Sequence, residues 1–224
     1  MTIYTLTYNE ELMLPFFVAH YRRNFPNCKI VIYDNESTDD TVKIAQKLGC
    51  EVRVNATNGK LDDLRYIEIK NYCWKETKGW VMVVDVDELL HVAPKDLNCT
   101  AITVKAYNMI SVNGEPLDKI THGVRSIDYD KFCCFDASQI TDVNYGMGCH
   151  QASPKGNVQM SFGTYLMAHY KYIDPNYMIA RFKRNAQRMS AHNIKYGWGG
   201  HYLAKEQEIR NEFDNAKKQA IKVL

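Results

Sequence analysis

The sequence predicts an α/β fold in which a mainly parallel sheet is flanked by helices on both faces. In the first half, short apolar segments rich in β-branched and aromatic residues alternate with longer segments of helical pattern. This spacing is typical of right-handed crossovers between parallel strands. The second half loses the alternation, so we expect a mixed C-terminal half.

The N-terminal half, residues 1–90, contains the clearest elements. Its predicted strands cover 3–6, 29–33, 50–54 and 80–84, and its predicted helices cover about 10–24, 37–48 and 61–76. Ser37 or Thr38 is expected to cap the second helix, and Gly49 to end it. Residues 91–224 are expected to add strands at 102–107, 131–135, 158–162 and 165–172, and helices at about 175–191 and 204–223. No linker or internal repeat divides the chain, so one domain over 1–224 is predicted.

Composition excludes several classes of protein. The chain has 224 residues, of which 46% are hydrophobic and 24% charged, which is typical of a globular protein with a substantial core. A formal net charge of +2 argues against a nucleic-acid coat, and no apolar run is long enough to span a membrane. Its seven cysteines form no CxxC pair, so we expect reduced thiols and a cytoplasmic location.

Carboxylates follow an apolar segment in "GWVMVVDVDELL", residues 79–90. Ligands of open parallel sheets bind beyond the carboxyl ends of the strands, where "TYNEE" and "DNES" are also expected. Asp85 and Asp87 are two residues apart, so on an extended chain they project to the same side. Two hard oxygen ligands suit Mg²⁺ or Mn²⁺. The alternative is that Asp87 caps a short helix beginning near Glu88, while Asp85 is solvated.

Three motifs carry a resemblance to a known family. "TLTYNEE", "IVIYDNESTDDT" and "GWVMVVDVDELL" occur in the order found in GT-A fold glycosyltransferases, specifically family-2-like enzymes with a DxDE motif. The chain also resembles, in its compact size, the small glycosyltransferase domains of large algal (chlorella) viruses, and a viral origin would place it in the host cytoplasm. Beyond residue 90 the resemblance is limited to "AHYKYID" and the helix that follows.

The resemblance implies a Rossmann-like, nucleotide-binding half over 1–90 and an acceptor half over 91–224. It implies a UDP-sugar donor, a glycan or glycoprotein acceptor, and inverting transfer of a hexosyl or deoxyhexosyl unit. A Mn²⁺ or Mg²⁺ ion would be held by Asp85, Asp87 and His169. The residues expected to bind the nucleotide sugar are Thr7, Tyr8, Asn9, Asp34, Arg65, Asp85, Val86 and Trp198.

Structural alternatives exist for several of these residues. Asp34 could satisfy a local turn, Arg65 could form a solvated ion pair with Asp62, and His169 could be a hydrogen-bonded core histidine. Trp198 could stack on a sugar or could anchor an ordinary turn between helices. Three arginines share one face of a predicted helix: Arg181, Arg184 and Arg188. We expect this face to be exposed to solvent, and contact with a phosphate is the second alternative.

Inversion requires a general base on the acceptor side of the sugar. Asp142 in "SQITDVNYG" is the first candidate, and Glu115 and His150 are the others; each could also be an ordinary loop residue. The alternative functions are a sugar-nucleotide pyrophosphorylase and a non-catalytic nucleotide-sugar-binding relative. The first would need a glycine-rich loop after the first strand, and "TYNEELMLP" contains no glycine.

Overall fold

A computed structural model describes residues 1–224 of the protein. The helices are α1 (Met13–Asn24), α2 (Thr41–Lys47), α3 (Asp63–Tyr72), α4 (Pro175–Arg188), α5 (Ala191–Tyr196) and α6 (Glu206–Gln219). The strands of the first half are β1 (Thr2–Thr7), β2 (Lys29–Asp34), β3 (Glu51–Val54), β4 (Trp80–Val83) and β5 (Glu88–His91). The later strands are β6 (Ala101–Ile110), β7 (His122–Arg125), β8 (Cys134–Asp136), β9 (Ile140–Asp142), β10 (Lys155–Gly156), β11 (Met160–Tyr172) and β12 (Ile221–Lys222).

One ten-stranded sheet runs through both halves of the chain. Its main path is β12-β7-β6-β8-β4-β1-β2-β3, and β11 lies beside β6 and carries β5 on its other edge. Strands β4, β1, β2 and β3 are parallel, and helices pack on the sheet, which confirms the predicted α/β class. The second half adds antiparallel neighbours, among them β8 on β4 and β7 on β6, so the predicted mixed character is also found. None of the helices has the length and apolar character needed to cross a bilayer.

Both faces of β1, β2 and β4 are buried, which explains their apolar sequences. Alternate side chains of β1, β2 and β4 enter two different cores, because successive residues of a strand point to opposite faces. Ile3 and Met82 belong to a core of 26 buried residues that also receives α1, while Tyr4 and Val81 belong to a core of 11 with Trp74. Continuous apolar segments of this kind therefore indicate strands that are buried on both faces of the sheet.

A third, smaller core lies where α4 and α6 meet the ends of β6 and β11, and it contains eight buried residues. Helix α4 begins at Pro175, and the Asp174 side chain accepts hydrogen bonds from the amides of Asn176 (2.8 Å) and Tyr177 (2.9 Å). An N-cap of this type followed by proline fixes the helix start. This packing holds α4 across the carboxyl ends of the parallel strands.

Several predicted boundaries were wrong. Helix α2 begins at Thr41, because Ser37 and Thr38 are engaged by Asn9: the Asn9 amide donates to Ser37 Oγ (2.9 Å) and Asn9 Oδ1 accepts from the Thr38 amide (2.8 Å). The segments 158–162 and 165–172 form the single strand β11, with irregular register against β6. The predicted helix 175–191 ends at Arg188, and Ser190 caps α5 instead.

Strand β5 depends on one tyrosine of α1. It pairs with β11 on one edge only, and at its other edge the Tyr21 hydroxyl donates to the Glu88 carbonyl (2.9 Å) and accepts from the Leu90 amide (3.1 Å). Tyr21 is fully buried. A single side chain thus satisfies backbone groups that a neighbouring strand would otherwise satisfy.

We expect Tyr21→Phe to lower the free energy of unfolding by about 1–3 kcal/mol, because it leaves a buried amide and a buried carbonyl without a partner. The measurement is urea unfolding followed by circular dichroism. Tyr72→Phe is the matched control, since Tyr72 is 66% exposed and its substitution should change stability by less than about 0.5 kcal/mol. Equal stabilities of the two variants would contradict this role of Tyr21.

Two neighbouring histidines, His20 of α1 and His91 at the end of β5, should make the stability of the fold depend on pH. The rings of His20 and His91 lie 4.7 Å apart, and His91 Nε2 is buried without a hydrogen-bond partner. Burial, and then the proximity of His20, lowers the pKa of His91 to about 4. Between pH 6.5 and about 4 the unfolded chain therefore binds more protons than the folded chain, so stability falls as pH falls.

We expect the melting temperature to decrease between pH 6.5 and 4.5, and to decrease less in His91→Phe, which removes the titrating group and fills a similar volume. Differential scanning calorimetry over this pH range measures both. His122→Phe is the control for the substitution itself, because His122 lies on β7 and outside this pair. A His91→Phe variant with the full wild-type loss would show that other groups cause the acid sensitivity.

Candidate active site

A cavity of about 1000 Å³ opens at the carboxyl ends of β1 and β4. Thr7 and Tyr8 line it from β1, and Asp85 to Asp87 line it from the turn after β4. Helix α4 faces them across the cavity. This is the edge at which open parallel sheets bind ligands.

The turn between β4 and β5 is closed by Glu88. The Asp85 amide donates to Glu88 Oε2 (2.9 Å), and the Glu88 amide donates to the Asp85 carbonyl (2.9 Å). Glu88 is fully buried and begins β5, so the alternative of a helix capped by Asp87 is wrong. Glu88, the glutamate of the DxDE motif, therefore stabilises this turn by hydrogen bonds to Asp85.

Two lysines hold Asp85. Lys70 Nζ from α3 lies 2.6 Å from Asp85 Oδ1, and Lys131 Nζ lies 3.0 Å from Asp85 Oδ2. Lys131 also pairs with Glu88. Burial alone would lower the pKa of each lysine, but the charge of Asp85 raises the pKa of both above the usual range. Both ammonium groups are therefore charged at neutral pH, although each lysine is about 5% exposed or less.

The side chains of Arg181 and His169 contact Asp87. Arg181 Nη1 lies 2.6 Å from Asp87 Oδ2, and His169 Nε2 lies 3.4 Å from the same oxygen. Burial would raise the pKa of Asp87, but Arg181 and then His169 hold it below its usual range. Asp85 and Asp87 thus face different partners, because the chain turns between them.

The carboxylates do not fit a divalent ion in this arrangement. No group of three or more His, Cys, Asp or Glu side chains is placed to hold a metal. Asp85 and Asp87 already contact Lys70, Lys131 and Arg181. The His169 ring faces Asp87, but its Nδ1 is 2.7 Å from Asn108 Oδ1 and its face stacks on Tyr129.

The arginines of α4 point into the cavity, so the favoured prediction of a solvated face was wrong. Arg184 Nη2 lies 3.1 Å from Glu10 Oε1. Arg188 is 7% exposed, its guanidinium lies 3.1 Å from the centroid of the Tyr8 ring, and it donates to Asn35. The spacing of these arginines predicted a shared helix face, but the sequence contained no signal that this face would meet the cavity and not solvent.

Three residues predicted to bind the nucleotide lie outside the cavity lining. Asp34 is used locally, since it accepts hydrogen bonds from Thr7 Oγ1 (3.0 Å) and from the amide (2.8 Å) and hydroxyl (2.6 Å) of Ser37. Asn9 joins the end of β1 to the segment before α2. Arg65 pairs with Glu68 (2.6 Å), and not with Asp62 as its alternative proposed. Of the other predicted residues, Thr7, Tyr8, Asp85, Val86 and Trp198 do line the cavity.

Two of the three base candidates are also remote from the cavity lining. Asp142 lies in β9 and pairs with Lys75, and β9 and β10 form a separate two-stranded sheet. Glu115 closes its own loop, accepting from Ser111 Oγ (2.9 Å) and the Asn113 amide (2.8 Å). Neither carboxylate is therefore placed to reach a ligand in the cavity.

His150 is the candidate that lines the cavity. Its Nδ1 lies 2.8 Å from the Asp128 carbonyl, which can only accept, so we assign the proton to Nδ1 and the free lone pair to Nε2. Burial, and then the charge of Lys131, lowers its pKa, so the ring is neutral at pH 7. His150 is therefore a neutral imidazole in the cavity lining, and its Nε2 lone pair can accept a proton.

The turn before His150 constrains its ring. Gly148 has φ +71°, and a Cβ built there would lie 2.8 Å from His150 Cδ2. Cys149 follows with φ +57°, a left-handed conformation that costs a non-glycine residue about 1–2 kcal/mol. Strained backbone of this kind is concentrated at functional sites. The ring of His150 contacts Tyr129 edge-on, with centroids 4.9 Å apart.

Trp198 forms the aromatic part of the cavity rim. It stacks on Tyr196 with ring centroids 4.8 Å apart, and it lies between Gly197 (φ +70°) and Gly199 (φ +71°). The left-handed glycines turn the chain sharply after α5 and bring the indole to the cavity. This placement suits either a sugar contact or a structural anchor, the two alternatives considered above.

Two solved structures with a loose overall likeness to the chain were bound to nucleotide sugars. Staphylococcus aureus TarS in complex with UDP-GlcNAc aligns with 96% of this chain and 71% of its own, with 15% identity and a TM-score of 0.44. The mannosyltransferase PcManGT of Pyrobaculum calidifontis, in complex with GDP-Man and Mn²⁺, aligns with 84% of this chain and 61% of its own, with 12% identity and a TM-score of 0.43.

Sequence comparison gives the more specific result. An uncharacterized glycosyltransferase of Rickettsia conorii is 37% identical over 62 residues, a stretch that spans 28% of this chain and 20% of that protein. The chain thus covers about a fifth of the relative that it matches. The family described as Glycosyl transferase family 2 matches residues 2–91, which include all three motifs noted above. The family match therefore covers the segment that carries β1 to β5 and the DxDE turn of the cavity, in agreement with the resemblance of the three motifs.

Proposed function

We propose that the protein is a glycosyltransferase that moves a hexosyl or deoxyhexosyl unit from a UDP-sugar to a glycan or glycoprotein acceptor with inversion. The observation that carries the proposal is the cavity between the family-2 segment and α4. It brings six cationic side chains to one space large enough for a sugar nucleotide: Lys70, Lys131, Lys171, Arg181, Arg184 and Arg188. Charged N–H donors are the groups that bind a diphosphate most strongly.

The reaction needs three events at the anomeric carbon. An acceptor hydroxyl oxygen forms the new bond to this carbon, and the bond to the β-phosphate oxygen breaks with its electron pair going to that oxygen. The hydroxyl proton passes to His150 Nε2, which is the available lone pair of a cavity-lining neutral imidazole. Cationic side chains stabilise the charge that develops on the leaving diphosphate. We do not include Mn²⁺ or Mg²⁺ in this proposal, since the motif carboxylates are already paired with cations.

Turnover separates this function from its two alternatives. Purified protein is incubated with UDP-glucose, UDP-galactose, UDP-GlcNAc or UDP-rhamnose and an oligosaccharide mixture, and released UDP is measured. We expect at least one donor to give UDP. A pyrophosphorylase would instead form a UDP-sugar from UTP and a sugar 1-phosphate with release of pyrophosphate. A non-catalytic relative would bind UDP, seen as a thermal shift, and release none from any donor.

We expect His150→Gln to lower the rate of sugar transfer by about 10²–10⁴-fold, the usual effect of losing a general base, while UDP affinity changes less than about threefold. Glutamine keeps a polar side chain but cannot take the proton. In the wild type, protonation of the ring removes the base, so transfer should decline as pH falls through the lowered pKa of His150, below the usual imidazole value of about 6.5.

The control for this prediction is His192→Gln, because His192 is exposed on α5 and outside the cavity lining. Asp142→Asn and Glu115→Gln are made in parallel, and both should transfer sugar at a rate near that of the wild type. A large loss in Asp142→Asn with full activity in His150→Gln would return the base to the sequence-based candidate. Transfer rates are measured at saturating donor so that binding and chemistry are separated.

A further inference from the structure

We propose that Lys70 and Lys131 take the place of a divalent cation, binding the donor diphosphate so that UDP binds without a metal ion. The inference rests on the function proposed above and deepens it. It reassigns the acidic motif: Asp85 and Glu88 position two ammonium groups in the cavity, where the resemblance implied that the aspartates position Mn²⁺.

The first support is the geometry around Asp85. Each of its two oxygens contacts a different ammonium group, Lys70 at 2.6 Å and Lys131 at 3.0 Å. These lysines come from separate parts of the chain, 15 residues before and 46 residues after Asp85. Two buried cations from different elements thus meet one carboxylate, and one of them, Lys131, also pairs with Glu88.

The second support is the number of hydrogen-bond donors left over. An ammonium group has three N–H donors. Lys70 makes one hydrogen bond, to Asp85, and Lys131 makes two, to Asp85 and Glu88. Both lysines line the cavity. Three N–H groups therefore remain, and they could donate to phosphate oxygens of a bound diphosphate.

The third support is that the lysines are built into the fold. Each is about 5% exposed or less, and Lys131 is fixed between Asp85 and a fully buried Glu88. Their charges are held in place before a ligand arrives, so binding needs little reorganisation of the site. Asp85 is the more accessible partner, with its side chain 34% exposed at the cavity.

The test begins with the wild-type protein, so that it does not depend on any variant folding. UDP is titrated by calorimetry in EDTA and again in Mn²⁺, and we expect dissociation constants that agree within about threefold. Binding of Mn²⁺ alone is followed by electron paramagnetic resonance, and we expect no stoichiometric site. UDP affinity that is at least tenfold weaker in EDTA, or a stoichiometric Mn²⁺ site abolished by Asp85→Asn, would overturn the inference.

Variants then identify the cations. Lys70→Met should weaken UDP binding by roughly ten- to a hundredfold in EDTA, as expected for the loss of a charged donor, and Lys70→Arg should recover part of the affinity. Lys75→Met is the matched control, because Lys75 pairs with Asp142 outside the cavity lining. Circular dichroism establishes that each variant is folded. A folded Lys70→Met variant with wild-type UDP affinity would also overturn the inference.

The outcomes distinguish this inference from the function on which it rests. UDP binding and UDP-sugar turnover that occur only with Mn²⁺ would refute the role of the lysines and leave the glycosyltransferase in place. Failure of UDP and of every UDP-sugar to bind, with or without Mn²⁺, would refute the proposed donor and the role of the lysines together.

Discussion

The structure around the cavity depends on one electrostatic constraint: carboxylates at the buried end of β4 must each be paired with a cation. An isolated charge cannot be buried without a large desolvation cost, and removing one member of a buried pair typically costs 3–5 kcal/mol. Asp87 is 2% exposed and Glu88 is fully buried. Their partners come from the segment before β8 and from α4, so the turn after β4 determines where these elements meet.

The same constraint explains why α4 crosses the edge of the sheet. Its N-terminus is fixed by Asp174, its apolar side packs in the third core, and its arginines reach Glu10 and Asp87 on the first half of the chain. Arg188 extends the contact to Tyr8 and Asn35. A helix held by its cap, by packing and by several ion pairs forms a rigid cavity wall, which is the condition for precise placement of a ligand.

Local patterns in the sequence were sufficient for the parallel strands but not for the site. Segments such as "KIVIYD" are apolar because both sheet faces are buried, and no distant information is needed to recognise them. The partners of the motif are different: Lys131 is 46 residues from Asp85, and Arg181 is 94 residues from Asp87. Ion pairs between distant residues produce no periodic pattern in the sequence. The sequence therefore predicted carboxylates at the end of a strand, but it did not indicate which lysines and arginines pair with them. Asp34 differs from its sequence-based role because its carboxylate accepts hydrogen bonds from Thr7 and Ser37 and lies outside the cavity lining, and neither contact is visible as a pattern in the sequence.

The balance of charge in the cavity links donor binding to the base. Six basic and six acidic side chains line the cavity, so with neutral histidines its formal charge is zero. The basic residues are Lys70, Lys131, Lys171, Arg181, Arg184 and Arg188. The acidic residues are Glu10, Asp63, Asp85, Asp87, Asp128 and Glu212. A diphosphate donor adds about two negative charges to this balanced space. Nearby negative charge stabilises an imidazolium and therefore raises the pKa of His150, which burial and Lys131 lower in the empty cavity. In the proposed reaction the donor thus strengthens the base that its own transfer requires.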